Sequence, residues 1–232
     1  MARRLRIYAV LLTMAMTSAL AGCGGSSDSD GPDSTATATA TATTATTPVT
    51  GDAAELGPAF GDMDDLPGVL KTPPPWDANT ARLQQRLRAI GLPALTEEGQ
   101  LVHIHQHLDV FFEGKPVKVA DDIGIASDRT FISPLHTHQQ NQGIVHVESP
   151  TESRYGLGQF FAVWGVRLDA RCLGAGCAGD GKRLRAWVNG TEVRGDPTRI
   201  VLEEHQEIVL AYGTPEQMPD PVPSSYAFPA GL

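Results

Sequence analysis

Six of the chain's seven histidines fall within 44 residues, in two constellations. One is His103, His105 and His107 in LVHIHQHLDV; the other is His136, His138 and His146 in PLHTHQQNQGIVHVESP. Imidazole nitrogen suits Zn(II) and Cu(II), and two or three histidines with an open position are how a catalytic zinc is held. Cu(II) binds such sites more tightly than Zn(II) does. The soft ligands of Cu(I) are scarce: beyond the N-terminal leader the methionines are Met63 and Met218, neither near a histidine in sequence. The chemistry implied is coordination of Zn(II) or Cu(II).

Both runs read as β-strands, in which alternate residues share a face. Val102, Ile104, Leu108 and Val110 take one side of the first run, and His103, His105, His107 and Asp109 the other. Residues two apart lie ~6.6 Å apart along a strand, close enough for an H-x-H pair to meet on one ion; His103 and His107, ~13 Å apart, compete for a partner instead of sharing one. His136 and His138 form a second H-x-H pair, with His146 eight residues beyond. Glu148 follows His146 by two residues and Asp109 follows His107 by two, so each shares its histidine's face. A carboxylate so placed can ligate, hold an imidazole tautomer, or act as base on a metal-bound water, which makes Glu148 and Asp109 the candidate catalytic residues. A solvated polar face is the alternative, but two H-x-H pairs in one small domain fit it poorly. Cupins also carry H-x-H on a strand, yet they want a glutamate soon after it, and Gln142 stands four residues after His138. His205, among Glu203, Glu204 and Gln206, reads as a surface turn residue.

The elements that must position these residues follow from periodicity and turn signals. Asp77 or Asn79 is expected to cap a first helix carrying Leu83, Leu87 and Ile90, which Gly91 and Pro93 stop. LVHIHQHLDVFFEGKPVKV predicts a hairpin about Glu113-Gly114. FISPLHTHQQNQGIVHVESP predicts another, turning between Gln139 and Gly143, and pairing of 131–137 with 144–149 sets His146 opposite the His136/His138 pair. GLGQFFAVWG reads as a short helix that buries Phe160, Phe161 and Trp164 and stops at Gly165; without a lysine or a long phosphate loop it is not a nucleotide site. RLRAWVNGTEV is a strand with an Asn189-Gly190 turn, a role that outweighs its match to an N-glycosylation sequon. TRIVLEEHQEIVLAYG supplies two short strands broken near Glu204 to Gln206. The fold class expected is α+β, mostly antiparallel hairpins with one or two short helices.

The remaining chain sets the compartment. Residues 1–22 hold Arg3, Arg4 and Arg6, then an apolar run from Ile7 to Leu20, the layout of a secretory signal and shorter than the ~20 residues that span a bilayer. Leu20-Ala21-Gly22-Cys23 resembles the lipobox of bacterial lipoproteins, which implies cleavage before Cys23 and lipidation on it; an ordinary signal peptide is the alternative. Residues 23–50 are a Ser/Thr/Ala/Gly-rich flexible tether, 51–78 a Pro/Gly-rich irregular lead-in, 79–213 the histidine-rich domain and 214–232 a proline-rich tail. Such a protein is extracytoplasmic, periplasmic or at the cell surface, and meets the membrane through the lipid on Cys23. Removing the three leader arginines leaves 15 basic against 27 acidic residues, a net charge of −12 that repels phosphate backbones and excludes nucleic acid as a natural partner. In that compartment Cys172 and Cys177, in CLGAGC, are expected to form a disulfide, with a metal-binding pair as the weaker reading.

Two resemblances bear on the domain. The order hairpin, helix, strands over 131–213 resembles the β-grasp arrangement of ubiquitin-like folds, and EEHQEIVLAYG is similar to the last strand of small sulfur-carrier proteins; their C-terminal Gly-Gly is missing, so carrier chemistry is not implied. Together HIHQHLDVFFEGKPV, DDIGIA, LHTHQQNQGIVHVESP, LGQFFAVWG and EEHQEIVLAYG look like an uncharacterised family of secreted or lipid-anchored bacterial and archaeal proteins, over about residues 80–213. That resemblance implies boundaries and no activity. The family often has Asp directly after LHTH, where this chain has Gln139.

Three functions are consistent with these readings. The first is a lipid-anchored binding protein for Cu(II) or Zn(II), using His136, His138 and His146 with His105 and either His103 or His107. The second is a metal-dependent hydrolase with Glu148 or Asp109 as base. The third is a non-catalytic interaction domain whose histidines form a pH-sensitive patch.

Overall fold

The computed structural model describes residues 54–140 and 142–232. The expected signal, Cys23 and the tether lie outside the described residues.

The first helical segment is a 3-10 turn, Thr80–Arg82, leading into α1, Leu83–Ala89. Neither expected residue caps it through its side chain. Asn79 is itself left-handed (φ 46°) and spends its amide on the carbonyls of Gly68 and Gly165, while Asp77 Oδ1 accepts from the Asn79 N–H, an Asx turn that precedes the helix. There follow β1 Val102–Phe112, β2 Lys115–Val117, β3 Leu135–His136 and β4 Ile144–Ser149, then α2 Leu157–Trp164, then β5 Cys172–Leu173, β6 Gly176–Cys177, β7 Arg183–Val188, β8 Thr191–Val193 and β9 Glu207–Gly213. The fold is α+β and mostly antiparallel.

The main sheet runs β3-β4-β1-β9-β7-β8, with β2 paired to β1. All its pairings are antiparallel except β1 with β9 at its centre. This is the β-grasp connectivity, with one difference from the sequence expectation. The opening hairpin is β1 with β4, not β3 with β4, so the arrangement spans the whole sheet instead of its C-terminal half, and β2 and β3 belong to the long excursion between β1 and β4. The tight turns are as their residues dictate: Glu113-Gly114 and Asn189-Gly190 both take positive φ at both positions, which matches the twist of the strands they join.

Strand alternation divides the sheet into two faces. Leu108 and Val110 of β1, Val145 and Val147 of β4, Ile208 and Leu210 of β9 and Ala186 and Val188 of β7 point to the helices, where Leu83, Leu87, Phe160, Phe161 and Trp164 complete the main core. Arg86 of α1 is fully buried between the helices; its guanidinium donates to the carbonyls of Val163, Pro67 and Asn79, so it closes the C-terminal end of α2. On the opposite face, Trp187, Val209 and Ala211 pack against Phe111 and against Met218 and Val222 of the C-terminal segment. That segment then lays Tyr226 flat on His107, with ring centroids 3.8 Å apart and planes within 4°, and Phe228 against His205. Cys172 and Cys177 are joined by a disulfide across the β5–β6 turn.

Candidate metal centre

The histidines occupy the face away from the helices, and strand register assembles them. His146 of β4 lies directly opposite His105 of β1 on one side and His136 of β3 on the other; His103 is opposite Glu148. Opposed residues in a sheet hold their Cβ atoms about 5 Å apart, so three adjacent strands deliver three imidazoles in a row. The ring centroids of His136 and His146 are 5.3 Å apart and those of His105 and His146 4.6 Å. His138, just past the end of β3, turns its ring to 4.8 Å from His136 and 4.5 Å from His146.

The loop carrying DDIGIA fixes the short strand β3. Thr137 Oγ1 donates to the Ala120 carbonyl and accepts from the Ile123 N–H, while the Thr137 N–H donates to the Ile123 carbonyl and the Ser133 N–H to the Gly124 carbonyl. Gly124 is required there: its φ is +74°, and a Cβ would stand 2.3 Å from the Leu135 carbonyl and 3.1 Å from His136 Cβ.

Two overlapping groups of donor atoms result. His136, His138, His146 and Glu148 each present one ligand atom within 4.8 Å of the others, and so do His103, His105 and Glu148. These buried groups could hold a metal ion. Nδ1 of His136 lies 3.0 Å from the Ser133 carbonyl, which can only accept, so the proton sits on Nδ1 and the Nε2 lone pair faces the cluster. His136 Nε2 and His138 Nε2 are 3.2 Å apart. Two nitrogens bound at about 2.0–2.1 Å to one tetrahedral ion are separated by ~3.3 Å. Oε1 of Glu148 is 3.1 Å from His146 Nδ1, 3.4 Å from His103 Nε2 and 3.8 Å from His136 Nε2. Its other oxygen, Oε2, and His105 Nε2 are buried with no hydrogen-bond partner among the described residues.

Burial keeps His136 and His105 in the unprotonated form that a metal needs. Desolvation, aided by the neighbouring imidazoles, holds His136 down at about 3 and His105 at about 4, and lowers His138 as well. Desolvation pushes the Glu148 carboxyl upward, but the His146 hydrogen bond and the surrounding imidazoles outweigh it and leave the group below the ordinary carboxylate range. The cluster meets solvent through His103 and His138, whose side chains are 45% and 39% exposed.

His107 and Asp109 stand apart from this centre. They group with Glu207 of β9, which the parallel register sets opposite His107. Nδ1 of His107 is 2.8 Å from Glu207 Oε2, and Nε2 is 2.9 Å from the Gln142 carbonyl. Both ring nitrogens are thus engaged within the fold. Burial disfavours the charged imidazolium, but the Glu207 hydrogen bond and charge raise the His107 pKa above its usual value, and burial lifts the Glu207 carboxyl. His205 is in an exposed turn at φ 56°, its Nε2 3.0 Å from the Leu232 carbonyl.

Three partners of the histidines were not singled out by sequence reasoning. Glu98, in the irregular segment before β1, brings Oε1 to 3.5 Å from His138 Nε2. Glu204 Oε2 accepts from the His105 backbone N–H at 3.2 Å. Glu207 has an alternation cue, since it shares a face with Val209 and Ala211, but only the β1–β9 pairing joins it to His107. Gln139 donates its side-chain amide to Asp122 Oδ2 at 3.3 Å.

Comparison with protein-family models, curated proteins and solved structures finds no match to this chain. The geometry of the histidine face is therefore what any functional reading must rest on.

Proposed function

We propose that this chain is a lipid-anchored extracytoplasmic protein that binds Zn(II) or Cu(II) through His136, His138, His146 and Glu148. One observation carries the reading: four buried or half-buried donors from β3, its C-terminal extension and β4 converge within 4.8 Å, with the His136 tautomer set by Ser133 so that its lone pair points inward. Nitrogen and oxygen donors favour Zn(II) or Cu(II) over Cu(I), and Met63 packs in the main core while Met218 packs against Trp187, Val209 and Ala211. The lipid anchor is supported by the basic leader, the apolar run and Leu20-Ala21-Gly22-Cys23.

The competing readings have less support. In a hydrolase the base must stand free of the ligands, but Glu148 lies among them and Asp109 sits with His107 and Glu207. A pH-sensitive patch needs imidazoles that titrate near neutrality, whereas burial holds His136 and His105 at about 3 and about 4. Elemental analysis of the protein purified without a histidine tag tests the metal reading. A stoichiometric divalent ion that is lost in His136→Ala/His138→Ala supports it; no ion, or the same ion content in that variant, rejects it.

A further inference from the structure

We propose that the centre is built for two divalent ions bridged by the Glu148 carboxylate: His136, His138 and His146 take the first, and His103 and His105 the second. This rests on the metal reading above and deepens it.

The two donor groups share only Glu148. They abut across the β1–β4 pairing, where His105 is opposite His146 and His103 is opposite Glu148, so the carboxylate lies at the seam between them. A single ion held by His136, His138, His146 and Glu148 Oε1 leaves two atoms unexplained. His105 Nε2 and Glu148 Oε2 are both buried, and neither has a partner among the described residues. Buried polar atoms are nearly always satisfied, and a pair of orphans in one donor group points to a missing common partner. Imidazole nitrogen and carboxylate oxygen both bind cations, and donor atoms of His103, His105 and Glu148 lie within 4.8 Å of one another, so a second cation there would give this group its missing partner. A carboxylate can bind two ions through its two oxygens, and ions in two-metal sites stand about 3.5–4 Å apart.

The electrostatics suit the higher charge. Besides Glu148, Glu98 approaches His138 at one end, and Glu204 accepts from the His105 backbone at the other. The second ion enters from solvent past His103, whose side chain is 45% exposed. His107 is the wrong residue for it, since Glu207 and the Gln142 carbonyl already engage both its nitrogens.

The test uses the full chain without a histidine tag, stripped with chelator and titrated separately with Zn(II) and Cu(II). Two ions per chain are expected. At two equivalents of Cu(II), paramagnetic resonance is expected to show a coupled pair, with dipolar broadening and a half-field line. His103→Ala, at a half-exposed position whose loss leaves the core intact, and His105→Gln are each expected to weaken the second ion at least tenfold. The double variant binds one ion and gives the spectrum of isolated Cu(II). If His105→Gln fails to fold, His103→Ala carries the test alone. One ion in the parent chain, unaffected by either substitution, overturns the two-ion centre and leaves the metal reading standing. Two ions without coupling overturn the bridge. No stoichiometric ion overturns both readings.

Discussion

Stripped of metal, the protein should lose stability steeply between pH 6.5 and 5, and His136 should account for much of the loss. His136 is fully buried, and desolvation lowers its pKa from 6.5 in the unfolded chain to about 3 in the fold. Between those values the unfolded state binds a proton that the folded state refuses, so stability rises with pH, at about 1.4 kcal/mol per pH unit for one group. The contribution is fully present above pH 6.5 and is lost as pH falls toward 3. From pH 6.5 to 5 it amounts to ~2 kcal/mol. His105, lowered to about 4, adds in the same direction. Three other shifts enter. Glu207, raised above 4.5, contributes stability that is lost as pH rises through its folded pKa, opposing the histidines over part of their range. Glu148, depressed from 4.5, acts only below that pH. His107, raised above 6.5, contributes stability that is complete below 6.5 and lost as pH rises through its folded pKa. Apo stability should therefore peak near pH 6.5. Urea unfolding of chelator-treated protein at pH 6.5 and 5, compared with His136→Gln, measures the effect. The variant is less stable at pH 6.5, but its loss on acidification should be smaller by about 2 kcal/mol. Parallel pH profiles for the two proteins would refute the claim that the fold holds His136 neutral.

Three further outcomes are expected. Glu148→Gln keeps the shape but removes the charge at the seam, and should weaken Zn(II) binding tenfold or more in competition with a chromophoric chelator; unchanged affinity removes Glu148 from the ligand set. Gly143→Ala sets a methyl 2.8 Å from His107 Nε2 and 2.9 Å from the Leu108 carbonyl at φ +93°, and should cost about 1–3 kcal/mol in urea unfolding, whereas a neutral result would show that the β3–β4 turn is not held as described. Tyr226→Ala removes the ring stacked on His107, worth about 0.5–1.5 kcal/mol, and should speed proteolysis of the C-terminal segment while leaving metal stoichiometry unchanged; equal cleavage rates would mean that the stack does not hold the segment down.

What the sequence made legible follows from its local signals. The period-two pattern of β1 placed His103, His105, His107 and Asp109 on one face, and the turn between Gln139 and Gly143 set His146 against His136, because both depend only on neighbours and turn chemistry. The ~13 Å along the strand between His103 and His107 foretold that they would find different partners. What was not legible needed long-range contacts. The parallel pairing of β1 with β9 joins residues about 100 apart, and from it come the central strand order and the His107–Glu207 pair. Asn79 looked like a helix cap, but its amide bonds to the Gly68 and Gly165 carbonyls, a tertiary demand that overrides the local preference. Glu98 lies in irregular chain with no periodicity to aim it.

The distribution of unsatisfied atoms is a second reason to read this face as a ligand site and not as a buried polar accident. Six buried side-chain atoms lack partners among the described residues, and four of them are His105 Nε2, Glu148 Oε2, Glu207 Oε1 and Asp122 Oδ1. The other two belong to the amide of Gln106. A random failure of packing would scatter over hydroxyls and amides, at about 1–3 kcal/mol for each atom left dry. Here most of it falls on imidazole and carboxylate, the groups that bind cations, and on or beside the strands that carry the histidines. Folding meets this cost because the other face of the same strands, with Leu108, Val110, Val145 and Val147 against α2, supplies the apolar burial that fixes the register. A one-residue slip of β1 against β4 would send the histidines into that core and the valines to the site. The register that forms the core is thus also the register that assembles the donors, so the fold alone preorganises the groups that could hold an ion.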